Sequence, residues 1–444
     1  MPENFSTMSL PTPVTPALAS VPDTLWTPPD LAPAPQALVL GAGMVGVCTA
    51  LHLQERGVQV ALIDRGGPGQ ETSHGNAGVI QQEAVAPYPF PFDLPTLYKA
   101  ARRRGVDIHW HASALPRLLP RLVQYAWHSL PEHHILITQA YSRLVAHATS
   151  EHQPLIVAAG AQDLVNREGF RFVYRSTPGL DQAVADARAV LETHGVSFEA
   201  LDRQALAEAE PALHAEALAG AVHFTSPWSV SDPGELVARY ARLFQQRGGT
   251  LLAGDAQTLQ PQANGWRVRT GSGWLAAEQA VLALGPWSGT AVQRLGYRVP
   301  LFVKRGYHQH YSAAQPLNLP LLDTERGYVL APMRRGIRLT TGAELARLDS
   351  PPTPVQLGRA LDCARELLDL GDPVDDTPWL GNRPCMADML PAIGPAKRHR
   401  GLWFNFGHGH QGFTLGPVSG RLLAEQFTGQ STVVDPTPYL PSRF

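Results

Sequence analysis

Residues 37–64 alternate two kinds of pattern. "ALVL" (37–40) and "VQVALID" (58–64) are nearly unbroken apolar runs, as strands of a parallel sheet covered on both faces should be. Between them Val45, Cys48, Leu51 and His52 recur on one helical face. The pattern predicts a βαβ unit whose helix closes at Gly57. A second helix is predicted over 233–249, with Ser231 and Asp232 as caps and Pro233 in its first turn, followed by the strand "TLLAG". "QAVLALG" (279–285) is another apolar strand, and 402–427 reads as strand, loop and helix, the helix beginning at 415 with Pro417 in its first turn. Segments 86–225 and 291–377 are less regular, with alternating stretches such as "RFVYR" and "IRLTTGAE".

A chain of 444 residues exceeds the size at which one core keeps growing. The simplest layout is a cofactor domain in three pieces (37–85, 226–290 and 378–430) with a second domain inserted twice (86–225 and 291–377). A tail follows at 431–444. Residues 1–36 are proline-rich, hold no Lys or Arg and show no periodicity, which predicts a disordered leader rather than a targeting peptide. A net charge of −2 offers nucleic acid no electrostatic footing. The basic run "KAARRRG" (99–105) is a solvated face or a contact for an anionic membrane. The amphipathic segment 114–130 leaves a similar pair open, core packing or peripheral membrane contact. No run of about 18 apolar residues predicts a membrane span. Cys48, Cys363 and Cys385 are odd in number and far apart, which predicts free thiols in a reducing compartment.

The chemistry begins in the first turn. Gly41, Gly43 and Gly46 stand between a strand and a helix, and Asp64 closes the next strand 18 residues after Gly46. Gly41 permits the tight turn, Gly43 removes the Cβ that would block a pyrophosphate, and Gly46 lets helix and strand pack closely. The helix N-terminus offers N–H groups to phosphate and Asp64 accepts from a ribose. The spacing predicts a bound dinucleotide. The loop "RGGPGQETSHGNAGVI" (65–80) is long and suits a chain wrapping an extended cofactor. A second glycine cluster, "FNFGHGHQGFTLGP" (404–417), poses a choice between a metal at His408 and His410 and a flat organic ring. Two histidines are too few for a metal site.

"ETSHGNAG" (71–78), "SDPGELV" (231–237), "WLGNRPCMADMLPAIG" (379–394) and "FGHGHQGFTLGP" (406–417) resemble, in order, the signatures of the D-amino acid oxidase family of FAD enzymes, and most of all its bacterial D-amino acid dehydrogenases. The resemblance runs over about residues 37–430. It implies an α/β fold (α+β overall) with a Rossmann-like FAD-binding domain and a mixed-sheet substrate domain. FAD is then held non-covalently, because Gly381 stands where a flavin-linked branch carries cysteine, and Cys385 is not the anchor. Ala387 departs from the proline that often precedes the acid at Asp388.

The cofactor contacts implied are Gly41, Ala42, Gly43, Met44, Val45, Gly46, Asp64 and Arg65; Thr72, Ser73, His74, Asn76, Ala77 and Gly78; Gly285; and Gly407, His408, Gly409, Gly412, Phe413 and Thr414. Arg383 corresponds to the arginine that grips the substrate carboxylate. His410 touches substrate or bonds backbone, and Tyr307 and Tyr328 line the pocket or belong to the core. The implied reaction passes hydride from Cα of a D-amino acid to flavin N5, and the imine hydrolyses to a 2-oxo acid and ammonia. Two alternatives remain: an oxidase of glycine, sarcosine or a cyclic imino acid such as D-proline, and a non-catalytic flavin-binding assembly protein. A quinone or another acceptor would take the electrons, in the cytoplasm or on the inner face of the membrane.

Overall fold

The computed structural model describes residues 26–27, 34–103 and 105–444, so most of the leader lies outside the described residues. Trp26 packs against the core, and Thr27 N donates to Leu251 O while its Oγ1 accepts from Leu251 N. That short piece covers a strand edge.

β1 (Ala37–Leu40), α1 (Met44–Glu55) and β2 (Val60–Asp64) form where the apolar pattern puts them. β1 pairs in parallel with β2 on one side and with Gln279–Leu282 on the other. Thr250–Gln262 and Leu402–Phe406 extend the parallel core outward. Antiparallel strands complete the eight-stranded sheet: Gly265–Thr270 and Gly273–Ala277 at one edge, Ala392–Pro395 at the other. The helix predicted over 233–249 spans Pro233–Gln246, and the Asp232 side chain caps it through Glu235 N.

α1 is buried nearly all round rather than on one face. The reason lies in the last long helix, Gly412–Phe427, which packs against it through glycines. A Cβ on Gly416 would lie 2.5 Å from Met44 Cγ, and one on Gly420 would lie 2.8 Å from Cys48 C. The sheet covers one side of α1 and this helix covers another.

The final helix also begins three residues earlier than expected, which places Pro417 inside it. Pro417 has no N–H for the carbonyl of Phe413, four residues back. His152 donates to it instead: His152 Nε2 lies 3.0 Å from Phe413 O, while Nδ1 faces the Tyr240 hydroxyl at 3.1 Å. Burial lowers the His152 pKa to about 4, so the ring stays neutral and keeps one donor and one acceptor nitrogen.

A mixed eleven-stranded sheet stands beside the first. Its longest strand, Leu301–Ala313, pairs with Trp379–Met386 through eight residues and also with Gly336–Thr340. Three segments sit differently from the expected boundaries. Helices Pro131–Val145 and Ala148–Ala158 fall in the range assigned to the inserted domain, yet their apolar faces share a core with α1 and β1. Trp379–Met386, assigned to the cofactor domain, lies in the large sheet. Residues 431–444 are docked: Tyr439 is fully buried with its hydroxyl on Ala140 O, and Arg443 pairs with Asp388. Apolar periodicity locates elements but does not say which sheet edge receives them.

The amphipathic segment 114–130 forms the helix Leu115–His128 and buries only Leu118 and Tyr125. Leu119, Val123 and Trp127 remain exposed. No described helix is long and apolar enough to cross a membrane.

Candidate active site

A cavity of about 1040 Å³ runs from the C-terminal ends of β1 and β2 to the face of the large sheet. At the β2 end Asp64 lines it. One carboxylate oxygen accepts from Ala42 N at 2.8 Å and the other from Gly66 N and Gly67 N, so the carboxyl also pins the glycine turn. Burial raises its pKa, and those three donors oppose the rise. Arg65 lies over the Trp287 ring and pairs with Glu71. Gly41, with φ +104°, lies so close to the next strand that a Cβ would meet Ala283 O at 2.5 Å. Gly43 opens directly onto the cavity, where only Ser73 Oγ approaches its missing Cβ.

Loop 72–78 forms the next wall. Ser73 Oγ accepts from Met44 N, Thr72 donates to Asn382 O, and Asn76 folds back on Gly78 N. Trp379 fills the space beside the loop: a Cβ on Gly75 or Gly381 would lie 1.7 or 2.2 Å from its ring. The loop is clamped from outside by Arg338, which donates to the carbonyls of His74 and Asn76 and, through Nε, to His310 Nε2. His310 Nδ1 faces Asp375 at 2.7 Å. Burial lowers the Arg338 pKa to about 10. Losing this clamp removes two charge-assisted bonds from the loop, so Arg338→Ala should weaken FAD binding about 10- to 100-fold. Titrating the apoprotein with FAD, alongside its thermal midpoint, measures this; unchanged affinity would make the clamp irrelevant to the loop.

The far wall is the segment before Gly412–Phe427. Gly407 and Gly409 adopt φ +89° and +61°, and Gly409 N bonds to Pro384 O, which ties the loop to Trp379–Met386. The helix has no side-chain cap, and Gly412 and Phe413 line the cavity, so its N-terminal amides and dipole face whatever lies there. His408 Nε2 and Asn405 Oδ1 are buried without a partner among the described residues, and both residues line the same space. Burial lowers the His408 pKa to about 3. A glycine cradle, a helix N-terminus and orphaned polar atoms around an elongated cavity fit a flavin dinucleotide.

Five expected cofactor residues do not line the cavity. Ala42 is packed in the core, and Gly46 sits beneath the turn, where a Cβ would lie 1.7 Å from Gly41 O. His74 turns toward His308 and Trp379. Gly78 abuts Val230 O, and Thr414 Oγ1 is spent on Gln81 N and Val79 O. They shape the walls. The other expected cofactor residues, Met44, Val45, Ala77 and Gly285 among them, do line it.

Arg383 reaches the cavity because Gly306, on the neighbouring strand two residues along from its direct partner Lys304, leaves room: a Cβ there would lie 2.5 Å from Arg383 Nη2. Its Nη1 and Nη2 each donate to one backbone carbonyl, of Gly342 and Thr341, and three of its five N–H groups remain. Burial lowers its pKa.

His410 lines the cavity nearby, and its tautomer is set from behind. Burial raises the pKa of the Glu83 carboxyl to about 7; one of its oxygens accepts from Gln81 Nε2 at 2.6 Å, and Gln81 Oε1 accepts from Gln411 Nε2 at 2.6 Å. The same Gln411 nitrogen lies 3.1 Å from His410 Nε2, which must therefore accept. The proton sits on Nδ1. Burial, then Arg383 and Lys304, lower the His410 pKa to about 3, and the ring is neutral at physiological pH. Tyr88 lies against it at 5.3 Å between ring centroids.

Tyr307 lines the cavity, but its hydroxyl is already engaged. Its hydroxyl donates to Glu344 and accepts from Arg305 and Thr353 N. Tyr328 is a wall residue with 1% exposure, and burial and Asp323 raise its pKa. His109 and His111 lie close to Glu344, but that carboxylate already serves Arg305, Tyr307 and Thr353, so no cation site is drawn there.

Lys304, Gln81, Glu83, Gln411, Tyr88 and Arg338 were not singled out from the sequence. Lys304 had one available signal: a strand alternates its faces, and Lys304 shares a face with Gly306.

These features define a flavin dinucleotide enzyme. The profile of the family described as FAD dependent oxidoreductase matches residues 36–426, and the chain belongs to that family. FAD is its cofactor. The chain is 30% identical over 426 residues to a D-amino-acid oxidase of Bradyrhizobium diazoefficiens, covering 91% of this chain and 98% of the relative. It is 29% identical to a D-amino acid dehydrogenase of Granulibacter bethesdensis, with 90% and 97% covered. Among solved structures, a glycine oxidase from Geobacillus kaustophilus superposes with a TM-score of 0.69 at 22% identity, over 93% of this chain and 99% of that one. That likeness shows the fold.

Proposed function

We propose that the protein catalyses the oxidative deamination of a D-amino acid. The observation that carries this reading is Arg383: a half-buried guanidinium with no acidic partner among the described residues, and with three donors left beside the neutral His410. Such a group is matched by a substrate carboxylate, which it binds through two parallel charge-assisted hydrogen bonds. The relatives named as D-amino acid oxidase and dehydrogenase, aligned over most of both chains, support the D configuration.

Bound FAD supplies the hydride acceptor. The chain's own part is orientation: Arg383 fixes the carboxylate and so the direction of Cα–H. A neutral His410 adds no positive charge beside the substrate amine. Phe302, Leu122 and Phe90 give the cavity an apolar wall that limits water.

Mixing the holoenzyme anaerobically with a panel of D-amino acids, their L enantiomers, glycine, sarcosine and D-proline tests this. Loss of the oxidised flavin band with D-amino acids is expected. Bleaching confined to glycine, sarcosine or D-proline would move the substrate class, and no bleaching with any of them would return the non-catalytic alternative.

The electron acceptor belongs to the same reading. Exposed Leu119, Val123 and Trp127, with Ile135 and Leu136 on the next helix, favour peripheral contact with a membrane carrying a quinone. Vesicles with anionic lipid should co-sediment the protein, and Leu119→Asp with Val123→Asp should abolish this; no co-sedimentation of the wild type would remove the membrane from the proposal.

A further inference from the structure

Lys304 and Arg383 are directly opposed across the antiparallel pair Leu301–Ala313 and Trp379–Met386. Opposed residues project from the same face of a sheet about 5 Å apart at Cβ, and like charges there repel. Both line the cavity. Neither forms an ion pair among the described residues. Arg383 is spent in part on two backbone carbonyls. Lys304 Nζ lies 3.2 Å from the Tyr125 hydroxyl and 4.2 Å from the centroid of that ring, with Phe302 on another side at 5.7 Å. Asp64, Glu71 and Asp255 line the opposite, β2 end of the cavity, and Asp107 accepts from its neighbour Ile108 N without pairing with either cation.

Two unbalanced cations side by side in a half-buried cavity wall repel each other unless an anion joins them. One substrate carboxylate accounts for Arg383. It leaves Lys304, an ammonium with donors to spare, facing the same ligand. We propose that Lys304 binds a second carboxylate, so that the preferred substrates are D-amino dicarboxylic acids of the aspartate and glutamate type. This rests on the D-amino acid reading for the oxidation itself, but the pairing of charges would hold for any dicarboxylate ligand. The same ammonium disfavours cationic side chains, and D-lysine and D-arginine should be the poorest substrates.

The isosteric amides provide the test. kcat/KM for D-glutamate and D-aspartate should exceed that for D-glutamine and D-asparagine at least about 10-fold. Lys304→Met should lower the acid-to-amide ratio about 30-fold, or about 2 kcal/mol at about 1.4 kcal/mol per tenfold. Lys304→Arg should restore most of it, which separates charge from packing. A ratio at or below one in the wild type, or a ratio unmoved by Lys304→Met, overturns the assignment. Binding without turnover gives a second readout through the flavin absorbance: succinate should perturb the spectrum at about tenfold lower concentration than butyrate, and Lys304→Met should erase the difference. If no D-amino acid reduces the flavin while succinate keeps a Lys304-dependent advantage, the D-amino acid reading fails and the second-carboxylate site stands. If D-amino acids are oxidised while succinate and butyrate bind alike, the site is refuted and the D-amino acid reading stands.

Discussion

Arg383→Ala should lower kcat/KM on the best D-amino acid by roughly 30-fold to several thousand-fold while FAD stays bound. On the proposed function a carboxylate entering this cavity would lose its water, and the N–H groups of Arg383 not spent on Gly342 O and Thr341 O would replace that hydration. Removing one member of a buried charged pair costs about 2–5 kcal/mol, and about 1.4 kcal/mol is a tenfold change. Affinity and orientation fail together, so both KM and kcat should move. Arg383→Lys should recover only part, since an ammonium lacks the planar fork. Arg383 also holds the carbonyls of Thr341 and Gly342, and a purely structural role predicts another pattern: lost flavin or a lowered thermal midpoint, with normal turnover in whatever remains loaded. Flavin occupancy and kcat/KM measured on the same preparations separate the two, and a fully loaded Arg383→Ala enzyme with near-normal activity would sink the carboxylate role.

The second large effect is expected at the glycine turn, where two neighbouring substitutions should fail differently. A methyl group on Gly46 would sit 1.7 Å from Gly41 O, and backbone cannot yield that far without moving α1 away from β1. Gly46→Ala should therefore cost the apoprotein about 1–3 kcal/mol by overpacking and abolish FAD retention. Gly43 has φ −72°, which alanine accepts, and its missing Cβ meets only Ser73 Oγ, at 3.3 Å. Gly43→Ala should leave the apoprotein's thermal midpoint unchanged. Its methyl occupies cavity space meant for a pyrophosphate, so FAD affinity should fall about 100-fold, or about 2.7 kcal/mol. Equal melting losses in the two variants would argue that the turn matters for packing alone.

The sequence made this turn readable because its logic is local: strand, three glycines, helix and acid all fall within 28 residues. Arg383 was readable only through resemblance. Nothing in "NRPCM" shows that Gly306, far away in the chain, clears space for its guanidinium. The surroundings of Tyr307 were illegible for a related reason. It follows Gly306 on the same strand, and alternation sends it to the opposite face, into the Arg305–Glu344 network. The start of the last helix was misplaced because Pro417 looked like a first-turn residue. Only His152, about 260 residues upstream, makes a proline inside that helix tolerable. The chain of Glu83, Gln81 and Gln411 behind His410 joins two distant loops, and side-chain amides leave no periodic trace.

The pairing of α1 with the helix Gly412–Phe427 sets a clock on biosynthesis. Gly41 and Gly412 line one cavity yet stand about 370 residues apart in the chain. At about 5–20 residues per second, a ribosome needs roughly 20–70 s to make the second after the first. During that interval α1 lacks the glycine-lined surface that covers it, and β1 lacks the partner Gln279–Leu282 for much of it. FAD cannot meet the whole of that lining before the last helix has emerged. Cofactor capture is therefore a late event, and a nascent chain stalled before residue 412 would present an apolar helix to chaperones instead of a flavin site.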